Sequence, residues 1–496
     1  MKNSQDNTNN TIQAFWISIG SLFAFGFTIV SSMILSRYFL KEDYGTYKQV
    51  IYVYNTLLVV FTLGLPQAFS HFLPRIPLDE ARNLISKITN LFFILGGFFS
   101  LILFFFSAQI AVFLKNPDLE LAIKIFSPVP LLMLPTMGLE GVLATYQRTK
   151  FMAVYTVATK VFMLLCVALP VVVFKGGYIQ AIVGFVFASF VSFLLALYYK
   201  FYPLRFAKRF KCSISYREIF SFSLPLFYAS IWGIIISSAD QFFISRYFGA
   251  QVFADFSNGS LQLPFVGMII AGSSTVLTPI FSKQIFDKKD PQKEILPIWT
   301  TVFEKTAKLI YPLVLFFFFF SDIVMVVLYG KIYETSGIYF QIKLIVNLFT
   351  LISYAPLILA IGATKYYAKV HMYGAIVLLI LEYLSIMVFN SPYVITAVSV
   401  ACQIGRIGAM LFFISNYFGI NVLELFPLRL IVKLLIPSVI FLYLIRILFL
   451  NVLDVNGISL LVLSFSIYAI LFAVWCYLAR IDYLYIVKPL ISKFKI

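Results

Sequence analysis

The sequence is short of acid, histidine and cysteine, and it lacks any polar stretch long enough for a soluble domain. Only 21 Asp and Glu stand against 38 Lys and Arg, and charged residues make up 12% of the 496. A soluble domain carries roughly 25%, so an ordinary water-soluble globule is excluded. There are two histidines, and the four cysteines (Cys166, Cys212, Cys402, Cys476) are scattered without a CxxC pair or a Cys/His cluster. Neither a disulfide framework nor a structural metal is expected from that pattern. No P-loop, HExxH, nucleophile elbow or DxD-like loop stands beside a polar domain, so the chain reads as no enzyme and calls for no cofactor. The first apolar run has no small-residue cleavage site and reads as a retained span.

What fills the chain instead is apolar bulk: 61% hydrophobic residues and a mean hydropathy of +0.94. Bounded runs of about 20 residues recur from end to end, each long enough to cross a bilayer at 1.5 Å per residue. Their pattern predicts an all-α polytopic membrane protein with about fourteen transmembrane helices. Among them are a third span at 89–114, a seventh at 219–245, an eighth at 254–281, a ninth at 306–328 and a tenth at 337–362. Prolines interrupt many of these: Pro66, Pro135, Pro170, Pro225, Pro264, Pro312, Pro356 and Pro437. Neighbouring helices can satisfy the backbone groups such kinks release. The run Phe316–Phe320 reads as packing or lipid-facing bulk.

One string occurs twice. Ser36-Arg37-Tyr38-Phe39 returns 209 residues later as Ser245-Arg246-Tyr247-Phe248, and Thr149-Lys150-Phe151-Met152-Ala153 returns 215 residues later as Thr364-Lys365-Tyr366-Tyr367-Ala368. Two landmarks in the same order at nearly constant spacing indicate a duplicated helical unit. The expected organisation is a six-helix bundle over 1–200, a basic cytoplasmic linker over 201–217, a second six-helix bundle over 218–417, and two additional helices with a tail over 418–496. An even number of spans per half makes the bundles parallel repeats, which would enclose a central cleft.

The net charge of +17 is distributed as a topology signal. With a cytoplasmic N-terminus, 24 Lys and Arg fall on the inside and nine on the outside, as the positive-inside rule requires. The inside charge is densest at Arg205, Lys208, Arg209 and Lys211, where the halves join. No nucleic-acid partner is implied.

Charges inside the apolar runs are the candidate functional residues, because each costs about 2.5–3.5 kcal/mol at a helix centre on insertion scales. Lys160 and Arg406 fall near mid-membrane, one per half. Glu140 lies at the depth of Lys160, which leaves two readings open: an ion pair holding two spans together, or a proton-linked switch. Asp240 and Glu382 are intramembrane carboxylates suited to H+ or Na+ coupling or to structural pairing. Arg37 and Arg246 end equivalent helices, where snorkelling to headgroups competes with a functional role. His71 reads as a packed histidine, and Glu304, Lys305 and Lys308 as a solvated helix start.

The chain resembles the polysaccharide flippases, the lipid-linked oligosaccharide exporters of the multidrug/oligosaccharidyl-lipid/polysaccharide superfamily. The resemblance rests on Ser36-Arg37-Tyr38-Phe39 with Glu42-Asp43-Tyr44-Gly45-Thr46-Tyr47, on Leu63-Gly64-Leu65-Pro66, and on Leu139-Glu140-Gly141-Val142-Leu143-Ala144 with Arg148-Thr149-Lys150. It continues through Asp240 with Arg246-Tyr247-Phe248-Gly249, Leu328-Tyr329-Gly330-Lys331-Ile332-Tyr333 and Gly362-Ala363-Thr364-Lys365. It implies a bacterial inner-membrane protein with both termini cytoplasmic. Such a protein moves undecaprenyl-diphosphate-linked oligosaccharide to the periplasmic leaflet by alternating access, for surface polysaccharide such as lipopolysaccharide O-antigen. Its partners would be that lipid, membrane lipid, a coupling H+ or Na+, and a polysaccharide polymerase with other assembly proteins. Lys160, Arg406, Arg37 and Arg246 are then the candidate ligands of the diphosphate.

Three rivals are open at this point. A cation-coupled multidrug extruder would want cleft carboxylates to outnumber cations, and a lipid II flippase would share the diphosphate. A membrane glycosyltransferase or polymerase would need a long outer loop, and the longest here is about thirteen residues. The orientation has a direct check: a cysteine placed at Asn116 is labelled from outside and one placed at Arg209 is not. The reverse pattern overturns it.

Overall fold

In hydrocarbon no water is present to pair backbone N–H and C=O groups, so a spanning segment must satisfy them within itself. The computed structural model of the chain answers that demand with helices. It describes residues 2–205, 210, 212–449 and 457–483, with backbone alone for 2–15, 17 and 18. Among the described residues there is no strand. Twelve helices are long and apolar enough to cross a bilayer, or thirteen if one bent pair counts as a single span.

The expected count of about fourteen falls short at the tenth span. The stretch 337–362 is broken into Ser336–Leu344, a 3-10 turn Ile345–Leu348, an irregular segment, and a short helix Ala355–Ala360. Pro356 stands in the first turn of that last piece, and a residue before proline resists helical geometry. Two further boundaries differ. The third span begins at Leu78, with Asp79 and Glu80 in its first turn, where acid complements the helix dipole. The seventh runs on as Tyr216–Gly259, kinked at Gly249 with φ 79°, so the eighth starts only at Pro264. The repeated string therefore marks a break in both copies, since the first helix ends at Tyr38 and the next begins at Lys41.

Contacts divide the chain into two compact units, Met1–Ala254 and Asp255–Ile496. In the first, the helix Thr149–Phe174 packs on both the first helix and Tyr178–Phe201. The second unit pairs Thr364–Phe389 with Pro392–Phe418. Both copies of the second echo thus open helices of 26 residues, and each helix ends in a left-handed residue, Lys175 (φ 51°) or Asn390 (φ 44°). The join between the halves is strapped to the third span. Glu80 accepts from the Ser213 N–H at 2.7 Å and its hydroxyl at 2.8 Å, and Lys87 donates to the Ile214 carbonyl at 2.8 Å. Lys208, Arg209 and Lys211, singled out above, lie outside the described residues.

Within the first unit a buried polar network ties the second span to its neighbours. Asn116 donates to Thr46 Oγ1 at 2.9 Å and to Gln49 Oε1 at 2.6 Å, and Gln49 donates to Ser245 Oγ at 2.8 Å. Asn116 is therefore buried and is a poor labelling site. Lys175, exposed and on the same predicted side, serves the orientation test better.

At three of the broken spans, side chains of the same unit cap carbonyls at the break. The fourth consists of Leu119–Phe126, Val129–Met133, a 3-10 turn Leu134–Thr136 and Leu139–Thr145. Lys200, fully buried near the end of Tyr178–Phe201, donates to the freed carbonyls of Pro135 and Met137, both at 2.8 Å. Its ammonium also lies 4.5 Å from the centre of the Phe69 ring, a cation–π contact. The ninth span bends by 74° between Phe319 and Ser321, and Arg446 donates to the freed Phe319 carbonyl. At the broken tenth span the caps are hydroxyls, Tyr311 to the Leu348 carbonyl at 3.1 Å and Tyr354 to that of Phe349.

Lys200 was counted above with the inside-loop charges. The structure corrects this, because the side chain folds back into the protein. Replacing it by Met leaves two buried carbonyls unpaired, a loss of about 2–4 kcal/mol. Equilibrium unfolding in SDS should show that loss for Lys200→Met and a change within about 0.5 kcal/mol for the exposed Lys175→Met. Equal effects would refute the capping role.

Candidate functional site: cations without an internal task

A charge held inside a span is retained because it either satisfies the protein itself or meets something that enters. Most of the deep cations fall in the first class. Lys48 donates to Ser32 Oγ at 3.0 Å, Lys200 caps the fourth span, and Arg246 donates to the Phe113 carbonyl while stacking on its ring. Lys308 is buried and donates to the Asp482 carbonyl at 3.0 Å. It is not part of a solvated helix start with Glu304, as the sequence suggested; the terminal stretch folds over it. Arg446 adds to its carbonyl bond a two-pronged pair with Asp322, at 2.9 and 2.6 Å, which also lines a cavity of about 370 Å³ with Gln341 and Tyr443.

Lys160 and Arg406 fall in the second class. Each lies more than two turns from either end of its helix, Thr149–Phe174 or Pro392–Phe418. Neither makes a hydrogen bond or ion pair among the described residues. Lys160 is exposed. Glu140 is also exposed, on the short helix Leu139–Thr145, and no ion pair joins the two.

Arg406 is half-buried and lies flat along the neighbouring helix. A Cβ added at Gly374 would overlap its Cγ and Cδ, whereas beside it Gly405 and Gly408 have no atom within 4 Å of such a Cβ. The helix pair is locked further along by Tyr366, whose hydroxyl donates to the Ala409 carbonyl at 2.7 Å and whose ring stacks on Phe413 at 4.4 Å.

The remaining expected residues are dispersed. Arg37 is exposed in the last turn of the first helix. Asp240 is buried in the seventh span, where its Oδ1 accepts from the Gln241 N–H at 2.8 Å. Glu382 is wholly buried in the eleventh span. His71 is packed, as its sequence context suggested, with its ring 3.9 Å from that of Phe222. Phe316 and Phe320 are buried, and Phe316 packs on Phe465 and Tyr468. Pattern reading did not find Lys200, the Asp322–Arg446 pair, Gly374 or His371. Two lone opposite charges in the ninth and thirteenth spans were the signal available for the pair.

If Glu140 and Lys160 act independently, as their separation implies, neutralising both gives effects that add within about 0.5 kcal/mol. A double-mutant cycle of Glu140→Gln and Lys160→Gln on unfolding energy checks this. A coupling of several kcal/mol would show a functional pair.

Comparison with known proteins bears on the family and the fold. The family model described as "Polysaccharide biosynthesis protein" matches residues 34–337. No curated protein matches the chain. Among solved structures, the lipid II flippase MurJ in an inward closed conformation aligns with a TM-score of 0.72 at 14% identity, covering 96% of this chain and 99% of that one. An inward-facing multidrug resistance MATE transporter of the MOP superfamily aligns at 0.62 with 12% identity, covering 82% and 98%. A MOP superfamily transporter from Pyrococcus furiosus aligns at 0.57 with 12% identity, covering 81% and 94%. At these identities the likeness speaks for the fold, which is that of membrane transporters and flippases. With more than half its length matched, the chain belongs to the polysaccharide biosynthesis protein family.

Proposed function

We propose that this protein translocates a polyprenyl-diphosphate-linked oligosaccharide from the cytoplasmic to the periplasmic leaflet of a bacterial inner membrane. It would work by alternating access, with both termini cytoplasmic, in the synthesis of a surface polysaccharide. The observation that carries this reading is the pair of deep cations, Lys160 and Arg406, without partners among the described residues, in a chain of a polysaccharide biosynthesis family. An anionic diphosphate is the group such cations would meet. Arg406 offers a planar fork for it, suited to two-pronged contact with phosphate oxygens. Arg37, in the last turn of the first helix, is assigned to the path outward, whereas Arg246 is held on the Phe113 carbonyl. Asp240 and Glu382 are the candidates for H+ or Na+ coupling, and a polymerase is the expected recipient of the product.

A second reading, lipid II as cargo, draws on the structural likeness to a lipid II flippase over 96% of the chain. Both cargoes carry the diphosphate, so the glycan is what separates them. A multidrug extruder for cationic compounds is disfavoured by the same two cations.

Purified protein in liposomes should expose a fluorescent polyprenyl-diphosphate oligosaccharide to an external reductant, and lipid II more slowly. Cells lacking the gene should hold the oligosaccharide lipid in the cytoplasmic leaflet. Movement of lipid II alone would transfer the assignment to the second reading. Normal surface glycan in a deletion strain without a paralogue would defeat both.

A further inference from the structure

The face that carries Arg406 holds a second polar group with a defined chemical character. On the eleventh span Tyr367, His371 and Gly374 stand at i, i+4 and i+7, which places them on one side of the helix. The Tyr367 and His371 rings are in contact, tilted by 41° with centroids 4.3 Å apart. Arg406 reaches this same side from the twelfth span, lying against Gly374.

The hydrogen bonding fixes what His371 can offer. Its Nδ1 sits 3.0 Å from the Tyr367 carbonyl oxygen, and a carbonyl only accepts, so Nδ1 carries the proton. In the neutral imidazole the other nitrogen, Nε2, is then an acceptor. No described residue donates to it. The Arg406 guanidinium, whose stem lies against Gly374 one turn along the same face, has five N–H donors and no acceptor. The face thus presents donors for an anion and, about one turn away, one acceptor for a donating group. Gly374 is what permits this, since any side chain there would push Arg406 off the helix surface.

We infer that Arg406 and His371 form a two-part subsite for the sugar-phosphate junction of the cargo, the guanidinium taking phosphate oxygens and His371 Nε2 accepting from a hydroxyl or amide N–H on the first sugar. The inference rests on the diphosphate-linked cargo proposed above and gives it a chemical requirement. The sugar next to the diphosphate must carry a hydrogen-bond donor close to the phosphate. A bare polyprenyl diphosphate satisfies only half of the site.

Two probes test it on the purified full-length protein: a short-chain polyprenyl diphosphate, and the same lipid bearing one N-acetylhexosamine. Wild type should bind the sugar-bearing probe about tenfold more tightly, the value of one well-made hydrogen bond with its partner otherwise left unmet. His371→Phe should remove that preference while leaving affinity for the bare diphosphate unchanged. His371→Gln, whose amide oxygen also accepts, should restore part of it. Gly374→Ala should weaken both probes together, as Arg406→Gln does. Melting curves of each variant confirm that a folded protein is being compared, and the two His371 variants keep the test decisive if Gly374→Ala fails to fold. A preference for the sugar-bearing probe that survives His371→Phe overturns the subsite and leaves the proposed cargo standing. Absence of binding of either probe to wild type overturns the cargo itself.

Discussion

Unpaired backbone carbonyls are the constraint from which the rest of this structure follows. A span that is broken inside a membrane releases carbonyls that no water can reach, each costing several kcal/mol if left alone. At three of the broken spans here, the carbonyls at the break are met by side-chain donors of the same unit. Lys200 closes the fourth, Arg446 the ninth, and Tyr311 with Tyr354 the tenth. The choice of donor differs with position. A lysine reaches two carbonyls at once and rests on an aromatic face, an arginine joins a carbonyl to a carboxylate, and a tyrosine supplies one neutral bond. These caps explain why charge is present inside so apolar a chain without invoking a ligand for each one.

Sorting the cations by that criterion isolates the candidates for a functional role. Lys48, Lys200, Arg246, Lys308 and Arg446 all have protein oxygens to bond. Among the described residues Lys160 and Arg406 do not, although both lie deep in their helices. Their cost of insertion has no return from the fold, so it is best understood as serving a ligand. Arg406 is also prepared for one, held flat by Gly374 with open space at Gly405 and Gly408.

Much of this was legible in the sequence, and the limits have physical causes. Length and polarity of the apolar runs gave the helices, because in a bilayer composition alone decides between spanning and not spanning. The duplicated strings gave the breaks at Tyr38 and Gly249 and the paired 26-residue helices. Where the reading failed, a local pattern had two outcomes of equal local cost. A lysine one residue from the end of an apolar run can point to water or fold back, and only the freed carbonyls of Pro135 and Met137, some 65 residues away, decide for Lys200. The ninth span was read through its bend because Phe318, Phe319 and Phe320 are as apolar as a straight helix would need. Glu140 and Lys160 were expected at one depth, but equal depth does not bring two side chains to the same azimuth, and no ion pair joins them among the described residues.

The account stands or falls on where an anionic headgroup sits when cargo is bound. A cryo-electron-microscopy structure of the protein with a polyprenyl-diphosphate oligosaccharide measures this directly. The account predicts diphosphate density within about 3 Å of the Arg406 guanidinium or the Lys160 ammonium, with Lys200 and Arg446 still on their carbonyls. Diphosphate seated on Lys200 or Arg446, with their carbonyl bonds released and Lys160 and Arg406 empty, would contradict it.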